Sequence, residues 1–107
     1  MNNTLGLYDK SYQLIISSFQ KFHEIEKAII FGSRAIGNYK KGSDVDIALI
    51  GKNISFEVIS TISTKLNEEL PIPYHIDVIN FNSISNGKLI KHINTQGKEF
   101  YKKDNPV

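Results

Sequence analysis

Apolar positions along the chain recur first at helical and then at strand spacing, and the alternation sets an expected order of elements. Between about Tyr8 and His23 they fall at Tyr12, Ile15, Ile16, Phe19 and Phe22, steps that gather them on one helical face. The aromatic members Tyr12, Phe19 and Phe22 are expected in the core. Lys27 to Phe31 is a short β-branched and aromatic run ending at Gly32, which predicts a buried strand. Residues 32–43 hold Gly32, Gly37 and Gly42 among serine, asparagine and lysine, a connection with room for one helical turn. Asp44 to Ile50, closed by Gly51, predicts a second strand. Val58, Ile59, Ile62, Leu66 and Leu70 predict a helix over 55–70, stopped by Pro71 and Pro73. Tyr74 to Phe81 reads as a third strand, apolar on both faces and so expected to be central or covered. Ser85 to Gly97 closes with a helix carrying Leu89, Ile90 and Ile93, with Gly97 as its C-terminal cap. Residues 102–107 read as a flexible tail. The order α-β-β-α-β-α describes an α/β (α+β) fold, a small mixed β-sheet of about three to four strands flanked by helices.

Composition narrows what this fold can do. At 107 residues the chain is expected to be a single domain, 1–107, with no space for separate catalytic and substrate-recognition domains. The absence of cysteine excludes disulfides, thiolate zinc sites and cysteine nucleophiles. A net charge of +2 is too mild for a nucleic-acid surface, so nucleic acid is not expected as a direct ligand. The N-terminus lacks the basic and apolar regions of a secretory signal, and the apolar runs fall far short of the ~20 residues that cross a bilayer. A cytoplasmic protein without a membrane partner is expected.

The candidate chemistry lies in Gly32-Ser33, then Asp44-Val45-Asp46, and later Asp77. Carboxylates at i and i+2 of a strand share a face about 6.6 Å apart, and a neighbouring strand about 4.8 Å away lets Asp77 complete a triangle. Such an outline suits hard divalent cations, and two ions bridged by shared carboxylates serve in-line displacement at phosphorus. Three acids with little basic compensation in the local sequence repel one another unless a cation neutralises them. Gly32 lets the backbone approach a phosphate, and the Ser33 hydroxyl can donate to its oxygens. The plain alternative is a turn followed by a strand with exposed acids. Arg34 suits a phosphate ligand and a structural ion-pair partner equally well, and Tyr39 suits base stacking or turn closure. His75 shares the face of Asp77, where a lone histidine is more often structural. Lys40 and Lys41 precede the acids as ordinary solvated loop lysines.

The stretch from Phe31-Gly32-Ser33-Arg34-Ala35-Ile36-Gly37 to Ser43-Asp44-Val45-Asp46-Ile47-Ala48 strongly resembles the minimal nucleotidyltransferases of the DNA polymerase β superfamily. Ile76-Asp77-Val78 and the closing Asn94-Thr95-Gln96-Gly97-Lys98-Glu99-Phe100-Tyr101 extend the likeness over nearly the whole chain. The resemblance implies a polymerase β-like fold and a nucleotide site at Gly32, Ser33 and Arg34. It also implies two Mg²⁺ ions on Asp44, Asp46 and Asp77, with Asp77 helping to deprotonate the attacking hydroxyl. The implied reaction moves AMP from ATP to a hydroxyl and releases pyrophosphate. One position departs from the family: Ile36 stands where many members carry a second arginine. Similar minimal proteins are antitoxins of two-gene modules, and they adenylylate a tyrosine of an all-helical HEPN-type partner from the adjacent gene. Two other functions stay open at this point: a non-catalytic subunit that neutralises its partner by occlusion, and transfer to a small molecule. The chain's shortness points to a partner that supplies acceptor recognition, in a homo- or hetero-oligomer.

Overall fold

The computed structural model describes residues 5–103. Helix α1, Asp9–Gln20, leads into strand β1, Lys27–Phe31, and then into the single helical turn α2, Ser33–Ile36. Strand β2, Val45–Ile50, is followed by α3, Phe56–Thr64, which runs on as a π-helical turn over Lys65–Glu69. Strand β3, Ile76–Asn80, a 3₁₀ turn over Phe81–Ser83, helix α4, Gly87–Gln96, and strand β4, Lys98–Lys102, complete the chain. The four strands form one sheet in the order β3-β2-β1-β4. β1 is antiparallel to β2 and β4, whereas β2 and β3 run parallel, so the sheet is mixed.

Alternation along the strands divides the sheet into two unlike faces. Ala28 and Ile30 of β1, Val45, Ile47 and Leu49 of β2, and Ile76 and Val78 of β3 join Ile15 and Phe19 of α1 and Val58 and Ile62 of α3 in one core. Tyr12 and Phe22 pack at its margin, and Phe100 of β4 meets the rings of Tyr12 and Phe19 edge-on. The expected aromatic core face of the first helix is therefore present. The opposite face carries Asp46, Ala48, Asp77, Ile29 and Phe31, and α4 lies across part of it through Ile93, Gly97 and His92. Helix starts follow local chemistry: the Ser55 hydroxyl accepts from the Val58 N–H (3.2 Å), and the Asn86 side-chain Oδ1 accepts from the Lys88 and Leu89 N–H groups.

Three expectations are corrected. The second strand begins at Val45, so Asp44 stands just before it. The third strand is an edge strand and not a central one; its core face is covered through Ile76 and Val78, while Asp77 on the other face is exposed. Its outer rim is closed by Asn67, whose amide donates to the Ile76 carbonyl and accepts from the Ile76 N–H, both at 2.8 Å. Gly97 is the C-terminal cap of α4, as expected, in an extended conformation (φ −65°, ψ 152°). Glycine is needed there because a Cβ would strike the Ile93 carbonyl oxygen and Ile29 Cγ2. Finally, Lys102 closes β4 and the Lys103 N–H donates to the Glu26 carbonyl (2.8 Å), so these two residues belong to the sheet edge. Residues 104–107 of the expected tail lie outside the described residues. Among the described residues no helix is long and apolar enough to cross a membrane.

Candidate active site

Asp46 stands second in β2, with Phe31 of β1 and Asp77 of β3 as its register partners. In-register residues on adjacent strands project to one face about 4.8 Å apart, which brings the Asp46 and Asp77 carboxylates side by side. Asp44 enters from the segment that the Val45 N–H ties to the His75 carbonyl (2.9 Å). The three charges interact. Burial, then Asp77, then Asp44 raise the Asp46 carboxyl above its ordinary value, against a smaller lowering by His75 and His92.

β1 ends opposite Asp46, so the following turn is built beside that carboxylate. Gly32 takes φ 72° and ψ −154°, a region open essentially to glycine alone. A Cβ on it would lie 2.5 Å from Asp46 Oδ2. Backbone angle and close approach thus both demand glycine. Ser33 follows, half-buried, as the first residue of α2. The structure therefore assembles Gly32, Ser33, Asp44, Asp46 and Asp77 at one end of one sheet face.

Arg34 has a different place. It is 1% exposed, and its guanidinium lies between the rings of Tyr39 and Tyr74, 4.9 and 4.7 Å from their centroids. Nε and Nη2 donate to the Ser43 carbonyl (3.2 and 2.8 Å), and Nη1 donates to the carbonyls of Leu5 (3.0 Å) and Gly6 (3.4 Å). Arg34 is also absent from the charges that act on Asp46. Its hydrogen bonds fasten the N-terminal segment and the loop that delivers Asp44, so every guanidinium nitrogen is already engaged by backbone carbonyls. Tyr39 correspondingly closes the loop. Ile36, the departure from the family pattern, is 49% exposed.

Two residues of the neighbourhood carried no motif signal. His92 of α4 accepts the Gly32 N–H on Nε2 (2.9 Å). Its one sequence clue is its position three residues after Leu89 and next to Ile93, on the helix face turned to the sheet. Asn67 braces β3 one residue from Asp77, and the π-helical turn that aims it left no periodic trace.

Among the described residues no group of three His, Asp or Glu side chains is closed enough to hold a metal ion unaided. That geometry still fits Mg²⁺, which is commonly bound by one or two carboxylates together with substrate phosphates and water. The donor set is all hard oxygen, and a bound cation would offset both the burial and the repulsion from Asp77 and Asp44 that raise Asp46.

The family described as "Polymerase beta, Nucleotidyltransferase" matches residues 13–106. The chain belongs to this family. A curated relative from Methanocaldococcus jannaschii, named as a candidate protein adenylyltransferase, is 43% identical over 42 residues, which span 39% of this chain and 41% of the relative. The match thus covers less than half of that relative's length. Among solved structures, a chain from a toxin–antitoxin complex with AMP-PNP superposes with a TM-score of 0.70 at 22% identity, over 86% of this chain and 73% of the other. A chain from a complex of a tri-AMPylated HEPN toxin of Shewanella oneidensis with an MNT antitoxin gives 0.65 at 20% identity, over 88% and 71%. At these identities the likeness is one of fold: the nucleotidyltransferase sheet, with helices on it, is shared.

Proposed function

We propose that this nucleotidyltransferase moves AMP from ATP to a hydroxyl, a tyrosine of an all-helical HEPN-type protein from the adjacent gene, and thereby acts as an antitoxin. The observation that carries the reading is the pairing of Asp46 and Asp77 in register on parallel strands, with the Gly32 turn packed against Asp46. Family membership supports the reaction class, and the toxin–antitoxin neighbours support the kind of partner.

In this reading Asp44, Asp46 and Asp77 hold two Mg²⁺ ions, which supply charge neutralisation to the triphosphate and to the attacking oxygen. Gly32 lets the turn pack against the Asp46 carboxylate, and Ser33 donates its hydroxyl to the phosphate oxygens. The acceptor hydroxyl attacks the α-phosphorus in line; the new O–P bond forms as the bond to the β-phosphate oxygen breaks. Asp77, exposed at the sheet edge, takes the hydroxyl proton, and pyrophosphate departs. Most of the catalysis is positioning and electrostatics, which a small domain can supply. Acceptor recognition falls to the partner.

Incubation with α-labelled ATP, Mg²⁺ and the adjacent gene product tests this. Label is expected on the partner, and it should vanish in Asp44→Asn/Asp46→Asn. Equal labelling by that variant overturns the assigned site. Full neutralisation of the partner without label identifies an occluding subunit, and label on small acceptors alone identifies a small-molecule transferase.

A further inference from the structure

The catalytic turn is tied to an element outside the motif. At Gly32 the chain has left β1, and its N–H is bonded to His92 Nε2 rather than to a neighbouring strand. The Phe31 ring meets the same imidazole edge-on, with centroids 6.1 Å apart and planes at 77°. α4 is itself held to the sheet by Ile93 and by the close approach of Gly97 to Ile29. The imidazole therefore projects from a fixed support, and it reaches the one residue of the site with the greatest backbone freedom. Glycine loses more conformational entropy on ordering than any other residue. A turn that depends on glycine needs an external brace to stay in one geometry.

We propose that His92 is a positioning residue of the active site: by accepting the Gly32 N–H it locks the Gly-Ser turn against Asp46 and fixes the separation between the triphosphate-holding turn and the metal-holding carboxylates. The inference deepens the AMP-transfer reading and rests on it. It has a direct chemical consequence. The Gly32 N–H is already committed to protein, so phosphate oxygens are received by Ser33. A triphosphate then docks on a turn whose geometry α4 has set in advance, and ground-state nucleotide binding is the quantity most affected when the brace is lost.

Two variants separate the acceptor from the shape of the ring. His92→Gln keeps an oxygen able to accept the Gly32 N–H, and His92→Leu fills the space without an acceptor. Amide hydrogen exchange at Gly32, measured without nucleotide, reads the bond itself. Calorimetry with a non-hydrolysable ATP analogue and Mg²⁺ reads the consequence, and labelling kinetics separate KM from kcat. In His92→Leu, Gly32 exchange is expected to accelerate and nucleotide binding to weaken about three- to tenfold. The change should fall on KM more than on kcat, and His92→Gln should restore most of it. Unchanged Gly32 exchange in His92→Leu, or equal weakening in both variants, overturns the proposal. Wild-type protein that binds no analogue overturns the AMP-transfer reading instead, and the exchange measurement still decides whether His92 braces the turn.

Discussion

Replacing Gly32 with alanine perturbs the site at its tightest point. The native φ of 72° with ψ of −154° lies where an L-residue is strained by about 1–3 kcal/mol. The added Cβ would also stand 2.5 Å from Asp46 Oδ2, roughly 1 Å inside ordinary van der Waals contact, so the carboxylate must swing away. Taking about 2 kcal/mol for the backbone alone, a domain of this size should melt roughly 8–16 °C lower. A displacement of about 1 Å in a reacting geometry can cost on the order of a hundredfold in rate, so labelling should fall steeply in protein that is still folded. Thermal unfolding of four proteins (wild type, Gly32→Ala, Asp46→Ala and the double variant) separates the two causes. Strain belongs to the backbone and persists in the Asp46→Ala background. The clash disappears there, so the cost of Gly32→Ala should shrink by about 0.5–1 kcal/mol. A Gly32→Ala protein that melts within about 2 °C of wild type would refute both the backbone assignment and the contact with Asp46.

Other perturbations address the remaining parts of the site. Arg34→Lys cannot span the carbonyls of Ser43, Leu5 and Gly6 or lie flat between two tyrosines, and should cost about 2–4 kcal/mol in urea denaturation. A phosphate-ligand role would instead leave stability intact and raise KM alone. Asn67→Leu strips the partners from the Ile76 N–H and carbonyl; a loss of about 1–3 kcal/mol with faster exchange at Ile76 is expected, and unchanged exchange would contradict the edge-closing role. Asp46→Asn removes a half-buried charge that Asp77 and Asp44 oppose, so in EDTA it should melt slightly above wild type, by less than about 1 kcal/mol after solvent screening, while losing transfer. The sign follows from the raised folded-state pKa: ionised Asp46 costs the folded protein stability at neutral pH. A lower melting temperature for Asp46→Asn in EDTA would contradict the repulsion.

How far the sequence foretold this site varies with the physics of each part. The candidate residues Gly32, Ser33, Asp44, Asp46 and Asp77 stood out because strand periodicity and a glycine turn fix the face each side chain takes, whereas the register of Asp46 with Asp77 is set by the strand pairing. β4 was missed as a strand. Lys98, Glu99, Phe100, Tyr101 and Lys102 carry little apolar alternation, and only pairing with β1 across a register shift makes them a strand. The edge position of β3 was hidden because side-chain alternation describes faces and not neighbours within a sheet. Arg34, Asn67 and His92 act through side-chain hydrogen bonds to backbone groups of other elements. No spacing rule encodes such contacts, so a buried arginine beside a glycine turn read equally well as a ligand or a strut.

The central claim is that the carboxylates of Asp44, Asp46 and Asp77 drive AMP transfer to a partner protein. Intact-mass spectrometry of the adjacent gene product, after incubation with ATP, Mg²⁺ and either wild type or Asp77→Asn, tests it most directly. Wild type is expected to add the mass of one or more AMP units to the partner, located to tyrosine by fragmentation, and Asp77→Asn to add none. An unmodified partner in both reactions, or the same modification in both, would contradict it.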